Sequence, residues 1–231
     1  MSSPPPRPDC AERLRPQRAP SVDTAALVVG LVGGVGCGKS TLADAVLEQR
    51  LEHHDDTLIV DGDSVGHEVR DQVEVRDRIV EAFGEEILGP DGFISREALA
   101  IRIFQAETPE QVRSRLDTLN GIMHPAMREE FIHRIRTTPC DLVLFDAAVL
   151  LEAGWDDLCH EIAFVDAAEP TRMARALADP ERGWTEEQWR AREASQWPLD
   201  RKREAATIHL CGDEEPEPVA AALISLLEGG E

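Results

Sequence analysis

An apolar run from Ala25 to Val32 leads without a break into G-x-x-x-x-G-K-[ST] at Gly33 to Ser40, and no other stretch of the chain constrains the fold so tightly. Glycines at 33, 34, 36 and 38 let backbone N–H groups turn inward around an anion, where a Cβ would intrude. Lys39 extends a flexible point charge toward β- and γ-phosphates, and the Ser40 hydroxyl suits a hard divalent cation. Apolar residues at Leu42, Ala45, Val46 and Leu47 then predict a helix over Thr41 to Leu51, its positive end aimed at the phosphate. Strand, loop and helix together make a nucleotide-phosphate cradle from Gly33, Gly34, Gly36, Cys37, Gly38, Lys39, Ser40 and Thr41. Only two of the 24 basic residues are lysines, Lys39 and Lys202, so the cradle takes one of the two in an arginine-using chain.

Composition narrows what such a cradle serves. The 231 residues are 42% hydrophobic, enough for one domain with inserted subdomains. A formal charge of −21 argues against nucleic acid and against an anionic membrane surface, both of which need clustered positive charge. Five dispersed cysteines without a C-x-x-C pair fit a reducing cytoplasm, and seven scattered histidines offer no metal-ligand spacing. No apolar run reaches membrane-spanning length. The first 24 residues, proline- and arginine-rich, read as a disordered extension.

Further apolar runs at Thr57–Asp61, Asp141–Asp146, Glu161–Asp166 and Thr207–Leu210 are separated by helical sequence. That alternation predicts an α/β fold: a three-layer αβα architecture around a five-stranded parallel sheet. Parallel strands end on one edge, which should gather the Gly33 loop, the acidic turn Asp61-Gly62-Asp63 and Asp146. About eighty residues lie between the second and third strands, with turn signals at Gly89-Pro90-Asp91-Gly92 and His124-Pro125, too many for a simple crossover. The expected plan is a core over 25–64, 139–168 and 199–231, a helical acceptor subdomain over about 65–138, and a helical lid over about 169–198.

The chemistry then follows from what is missing as well as what is present. No Asn precedes either lysine as N-K-x-D would require, and no L-S-G-G-Q occurs, which disfavours a GTPase or a transporter ATPase. A small-metabolite kinase remains, since phosphoryl transfer asks mainly for positioning and charge neutralisation. Asp63, at a strand end beside the cradle, can accept a hydroxyl proton, and Asp146 ends its strand where it can hold Mg²⁺ with Ser40.

Six blocks in order carry a resemblance to the dephospho-CoA kinases. They are Gly30 to Ser40 (G-L-V-G-G-V-G-C-G-K-S), Asp61 to Val69 (D-G-D-S-V-G-H-E-V) and Phe83 to Leu99, then Leu119 to Pro125, Asp146 to Glu152 (D-A-A-V-L-L-E), and Arg192 to Gln196 with Arg201 to Arg203. They cover roughly residues 25 to 212. The resemblance implies a P-loop kinase fold with a helical acceptor insertion and a lid, and transfer of the ATP γ-phosphate to the 3′-hydroxyl of dephospho-CoA. It implies ATP and Mg²⁺ as cofactors, a small-molecule partner and a cytoplasmic enzyme. Asp63 becomes the catalytic carboxylate and Lys39 its partner at the phosphates. His67 and His124 fall in matching blocks, and Arg102, Arg113 and Arg115 sit where a polyanionic acceptor needs cations.

The lid departs from the family pattern. Glu181 stands where arginine is usual, so Arg182 is the first choice for the lid arginine and Arg175 the second. Trp184, Trp189 and Trp197 offer either adenine stacking or lid packing. Ala148 replaces a usual proline, and His209-Leu210-Cys211 lacks a usual asparagine. Another small-metabolite kinase, or a non-catalytic ATP-binding relative, stays open on these grounds.

Overall fold

The computed structural model describes residues 10–180 and 183–229. Along the chain these form β1 (Ala11–Arg13), β2 (Leu27–Gly33), α1 (Lys39–Glu52), β3 (Thr57–Asp61), α2 (Gly62–Arg70), α3 (Val73–Phe83), α4 (Arg96–Phe104) and α5 (Pro109–Thr137). There follow β4 (Leu142–Asp146), β5 (Glu161–Asp166), α6 (Glu169–Ala178), α7 (Glu186–Ala194), α8 (Leu199–Ala205), β6 (Ile208–Cys211) and α9 (Pro216–Glu228), with short 3₁₀ turns at Glu85–Ile87 and Trp155–Leu158. The described residues form two compact units, one lying within 1–61 and 135–231 and one of residues 62–134.

The first unit is built on a sheet of order β1-β6-β5-β2-β4-β3. Five strands run parallel, as the alternation of strands and helices demands, and β2 sits between β4 and β5. Its residues alternate between two buried faces. Val29 and Leu31 join Leu42, Ala45 and Val46 of α1 and Val219, Ala220 and Leu223 of α9 in one core layer. On the other face Gly30 leaves room for Cys159, Leu150 and Ile162, each within about 3 Å of where a Cβ would stand. β4 is buried throughout, which fits its unbroken apolar reading as a central parallel strand.

The structure corrects two expectations here. The sheet has six strands, not five, and the sixth, β1, pairs antiparallel with β6 through Ala11↔Leu210 and Arg13↔Ile208. Residues 10–24 are therefore not a disordered extension, whereas residues 1–9 lie outside the described residues. The physical reason is partner chemistry that composition does not reveal. Arg13 pairs with the fully buried Glu161, Arg18 Nη2 lies 2.8 Å from Asp156 Oδ2, and Ser21 Oγ donates to Asp157 Oδ2 at 2.8 Å. A carboxylate buried as deeply as Glu161 requires a cation, and the N-terminal segment brings it.

In the second unit the helices α2, α3 and α4 bury Val65, Val69, Val75, Ile79, Phe83, Leu99 and Ile103. The Gly89 to Gly92 turn forms as expected, with Gly92 at φ 80° and a bridge between Leu88 and Ile94. His124-Pro125, in contrast, is no turn: Pro125 lies inside the 29-residue α5. Proline inside a helix costs about 3 kcal/mol, and α5 offsets this through buried Ile122, Phe131 and Ile135 on its length. Asp61-Gly62-Asp63 is not a free turn either, because α2 starts directly at Gly62.

Candidate active site

The phosphate loop is the joint between β2 and α1. Gly36 and Gly38 hold φ values of 84° and 95°, a left-handed backbone that side chains with a Cβ resist. Gly38 caps α1, and the loop closes on itself through Cys37 N–H donating to the Gly34 carbonyl at 3.2 Å. At Gly34 the constraint is spatial: a Cβ there would enter the Arg172 guanidinium. Lys39 Nζ lies 3.6 Å from the Sγ of buried Cys37.

At the far end of the loop Ser40 Oγ donates to Asp146 Oδ2 at 2.6 Å. Asp146 is 7% exposed at the end of β4, in register with Leu31 of β2 and with Asp61 of β3. The shared edge of the parallel strands thus brings Ser40 and Asp146 together across 106 residues. One hydroxyl and one carboxylate are the donors that Mg²⁺ takes from a protein when phosphate and water oxygens complete its shell. Among the described residues no group of three or more His, Cys, Asp or Glu side chains is placed to hold a metal.

The segment from α6 to α7 packs on the loop. Arg172, 3% exposed, donates through Nε to the Ala167 carbonyl at 3.1 Å and pairs with Glu193. Glu193 Oε2 in turn accepts the Val35 N–H at 2.9 Å, while Trp189 Nε1 donates to the Val35 carbonyl at 3.1 Å. Trp189 is buried against Arg172, its ring centroid 5.5 Å from the guanidinium carbon, so it packs α7 against α6. Trp184 and Trp197 carry Arg192 and Arg201 on their faces. Arg175 Nη1 donates to the Gly212 carbonyl at 2.6 Å and reaches the Cys37 carbonyl at 3.4 Å, bracing the loop from outside. Arg182 and Glu181 lie outside the described residues.

Sequence reasoning missed Glu193 and the buried Lys202. Lys202 Nζ sits 2.7 Å from Gln196 Oε1 and 3.2 Å from Glu152 Oε1, and burial lowers its pKa from the usual lysine value against the pull of Glu152. Two signals could have found it: Lys202 is the chain's other lysine, and it lies within the Arg201 to Arg203 block of the resemblance.

In the second unit Asp63 stands exposed on the first turn of α2, with His67 exposed one turn later. Arg102 Nε donates to the Phe83 carbonyl at 3.0 Å and Arg115 Nη1 to the Arg102 carbonyl at 2.5 Å, so both also support the unit's own backbone. Arg113 is exposed. Burial lowers the pKa of His124.

A sequence profile described as dephospho-CoA kinase matches residues 27–216. The chain belongs to the dephospho-CoA kinase family. Among its relatives, a dephospho-CoA kinase of Corynebacterium efficiens is 33% identical over 79% of this chain and 86% of its own length. One from Chlorobaculum tepidum is 30% identical over 87% of this chain and 97% of its own. A Thermus thermophilus crystal structure superposes with a TM-score of 0.70 at 26% identity, covering 88% of this chain and 97% of that one. The dephospho-CoA kinase of Campylobacter jejuni, 15% identical, shares the fold with a TM-score of 0.58 over 88% of this chain and 98% of its own. This family member is a kinase, with the mostly parallel sheet and phosphate loop of P-loop kinases.

Proposed function

We propose that this kinase transfers the γ-phosphate of ATP to the 3′-hydroxyl of dephospho-CoA, giving coenzyme A and ADP. The observation that carries the reading is the Ser40–Asp146 hydrogen bond of 2.6 Å at the lip of the glycine loop, in a chain of this family. Phosphoryl transfer needs a cradle, a cation and an oriented hydroxyl, and each has a candidate.

The loop N–H groups and Lys39 hold the β- and γ-phosphates at the N-terminus of α1. Ser40 and Asp146 would hold Mg²⁺, which supplies charge neutralisation at the phosphates when bound. The Ser40 oxygen would serve through a lone pair while its proton stays in the 2.6 Å hydrogen bond to Asp146. Asp63 follows the β3 terminus by two residues and orients the ribose hydroxyl, taking its proton as the new O–P bond forms. The bond from the γ-phosphorus to the β–γ bridging oxygen breaks, and that oxygen leaves with ADP. Arg182, or else Arg175, is the lid cation that offsets charge on the transferring group.

The acceptor subdomain proposed over about 65–138 falls largely on the unit of residues 62–134, where Arg113 would offer an exposed cation to the acceptor's phosphates. The enzyme is placed in a reducing cytoplasm, which five dispersed cysteines without a C-x-x-C pair suit. Among the described residues no helix is long and apolar enough to cross a membrane. A coupled assay of ADP release with ATP, Mg²⁺ and dephospho-CoA tests the reading. Turnover that requires dephospho-CoA supports it, and turnover only with other hydroxyl acceptors replaces it.

A further inference from the structure

Glu152, Gln196 and Lys202 lie in the last two blocks that carry the family resemblance, yet phosphoryl transfer as described above assigns none of them a role. The fold gathers the half-buried Glu152 and Gln196 around the buried Lys202. Lys202 is 1% exposed, and its ammonium faces Gln196 Oε1 at 2.7 Å, Glu152 Oε1 at 3.2 Å, and the carbonyls of Gly33 and Ala148 at 3.4 Å each. Glu152 Oε1 also accepts the Trp197 N–H at 2.8 Å, while its Oε2 has no hydrogen-bond partner among the described residues.

Each acceptor has a meaning in the site. Gly33 is the residue where β2 ends and the phosphate loop begins. Ala148 lies two residues beyond Asp146, and Gln196 and Trp197 end the segment that follows α7. A buried ammonium must satisfy its donors locally, so it pulls these backbone groups together and holds them. The two ends of the cation-binding pair are thereby fixed from below: the loop that carries Ser40 at its exit is pinned at its entry, and the strand end that carries Asp146 is pinned just past it.

We propose that Lys202, with Glu152 and Gln196, is a positioning residue for phosphoryl transfer that keeps the phosphate loop and the Asp146 segment in register. This rests on the kinase reading above. Displacements of about 1 Å at a phosphoryl-transfer site lower rates by about 100-fold, so an anchor at this place acts on rate and on nucleotide affinity more than on the acceptor.

The full-length protein is compared as wild type, Gln196→Met, Lys202→Met and the charge-neutral double variant Lys202→Met/Glu152→Gln. Calorimetric titration with ATP and Mg²⁺, steady-state turnover with dephospho-CoA and the thermal midpoint are read together. Wild-type protein that binds ATP yet leaves dephospho-CoA unreacted contradicts the proposed acceptor, and the network is then judged on ATP affinity alone. The expected result is that Gln196→Met, folded, loses about tenfold in kcat or ATP affinity and the folded double variant about 100-fold, with KM for dephospho-CoA within about twofold of wild type. Wild-type kcat and ATP affinity in a folded double variant would overturn the proposal. So would charge variants that fail to fold while Gln196→Met behaves as wild type, since the cluster would then serve stability alone.

Discussion

Ser40 Oγ and Asp146 Oδ2 stand 2.6 Å apart, joining the first turn of α1 to the end of β4. A hydroxyl and a carboxylate so close, at the mouth of a phosphate loop, form a ready pair of oxygen ligands. Asp146→Asn keeps the size of the side chain and a hydrogen-bond acceptor for Ser40. It removes the negative charge, so the fold should persist while the apparent Mg²⁺ requirement rises and kcat falls by about 100-fold or more. Titrating activity against Mg²⁺ at fixed ATP reads both effects.

Gly34→Ala should disturb the site through Arg172. The added methyl enters the guanidinium, which is held by the Ala167 carbonyl and by Glu193, and Glu193 in turn holds the Val35 N–H. Overpacking of this kind costs about 1–3 kcal/mol of stability. A fall of the urea midpoint together with weaker ATP binding is expected, and calorimetry on the same sample separates the two.

The buried charge of Glu161 makes the N-terminal segment part of the fold. Arg13→Met leaves that carboxylate unpaired in the core beneath β1 and should destabilise the protein by about 3 kcal/mol. The double change Arg13→Met/Glu161→Gln should recover much of the loss, because the orphaned charge is gone. Equilibrium urea unfolding of the three proteins reads the difference.

These cases mark where the sequence was informative and where it was not. The strand–loop–helix of Leu27 to Glu52 was legible because glycine spacing and apolar periodicity are local, and Asp146 was legible because parallel strands share an edge. β1 was not, since a three-residue strand reading Ala-Glu-Arg has no apolar signature and becomes a strand only through its pairing with β6. Pro125 signalled a turn by its backbone preference, yet the packing along α5 outweighed it. Glu193 and Lys202 lie in polar helical stretches where nothing local distinguishes a buried ion from a solvated one. Their roles come from contacts with Val35 and Gly33 across more than 150 residues of chain.

Acid should weaken the fold through His160. Its Nδ1 accepts the Val28 N–H at 3.0 Å, which requires that nitrogen unprotonated, and burial lowers its pKa from 6.5 while Glu161 opposes the shift. The unfolded chain therefore takes up the proton more readily than the native one. This stability is fully present above the unfolded-state value and is lost as pH falls through the lowered native value. The urea midpoint should drop as pH falls below the unfolded-state value of 6.5, with the half-buried His124 adding the same sign. His160→Asn keeps an acceptor for Val28 without titrating and should flatten part of the slope.

Identifying the product tests the proposed reaction most directly. Wild-type protein and Asp63→Asn are each mixed with ATP, Mg²⁺ and dephospho-CoA, and the phosphorylated position is assigned by phosphorus NMR and mass spectrometry. The expected result is one ADP per coenzyme A with the new monoester on the ribose 3′-oxygen, and a loss of about 100-fold or more in Asp63→Asn with ATP affinity retained. Undiminished turnover in Asp63→Asn, or wild-type protein that leaves dephospho-CoA unphosphorylated, would contradict it.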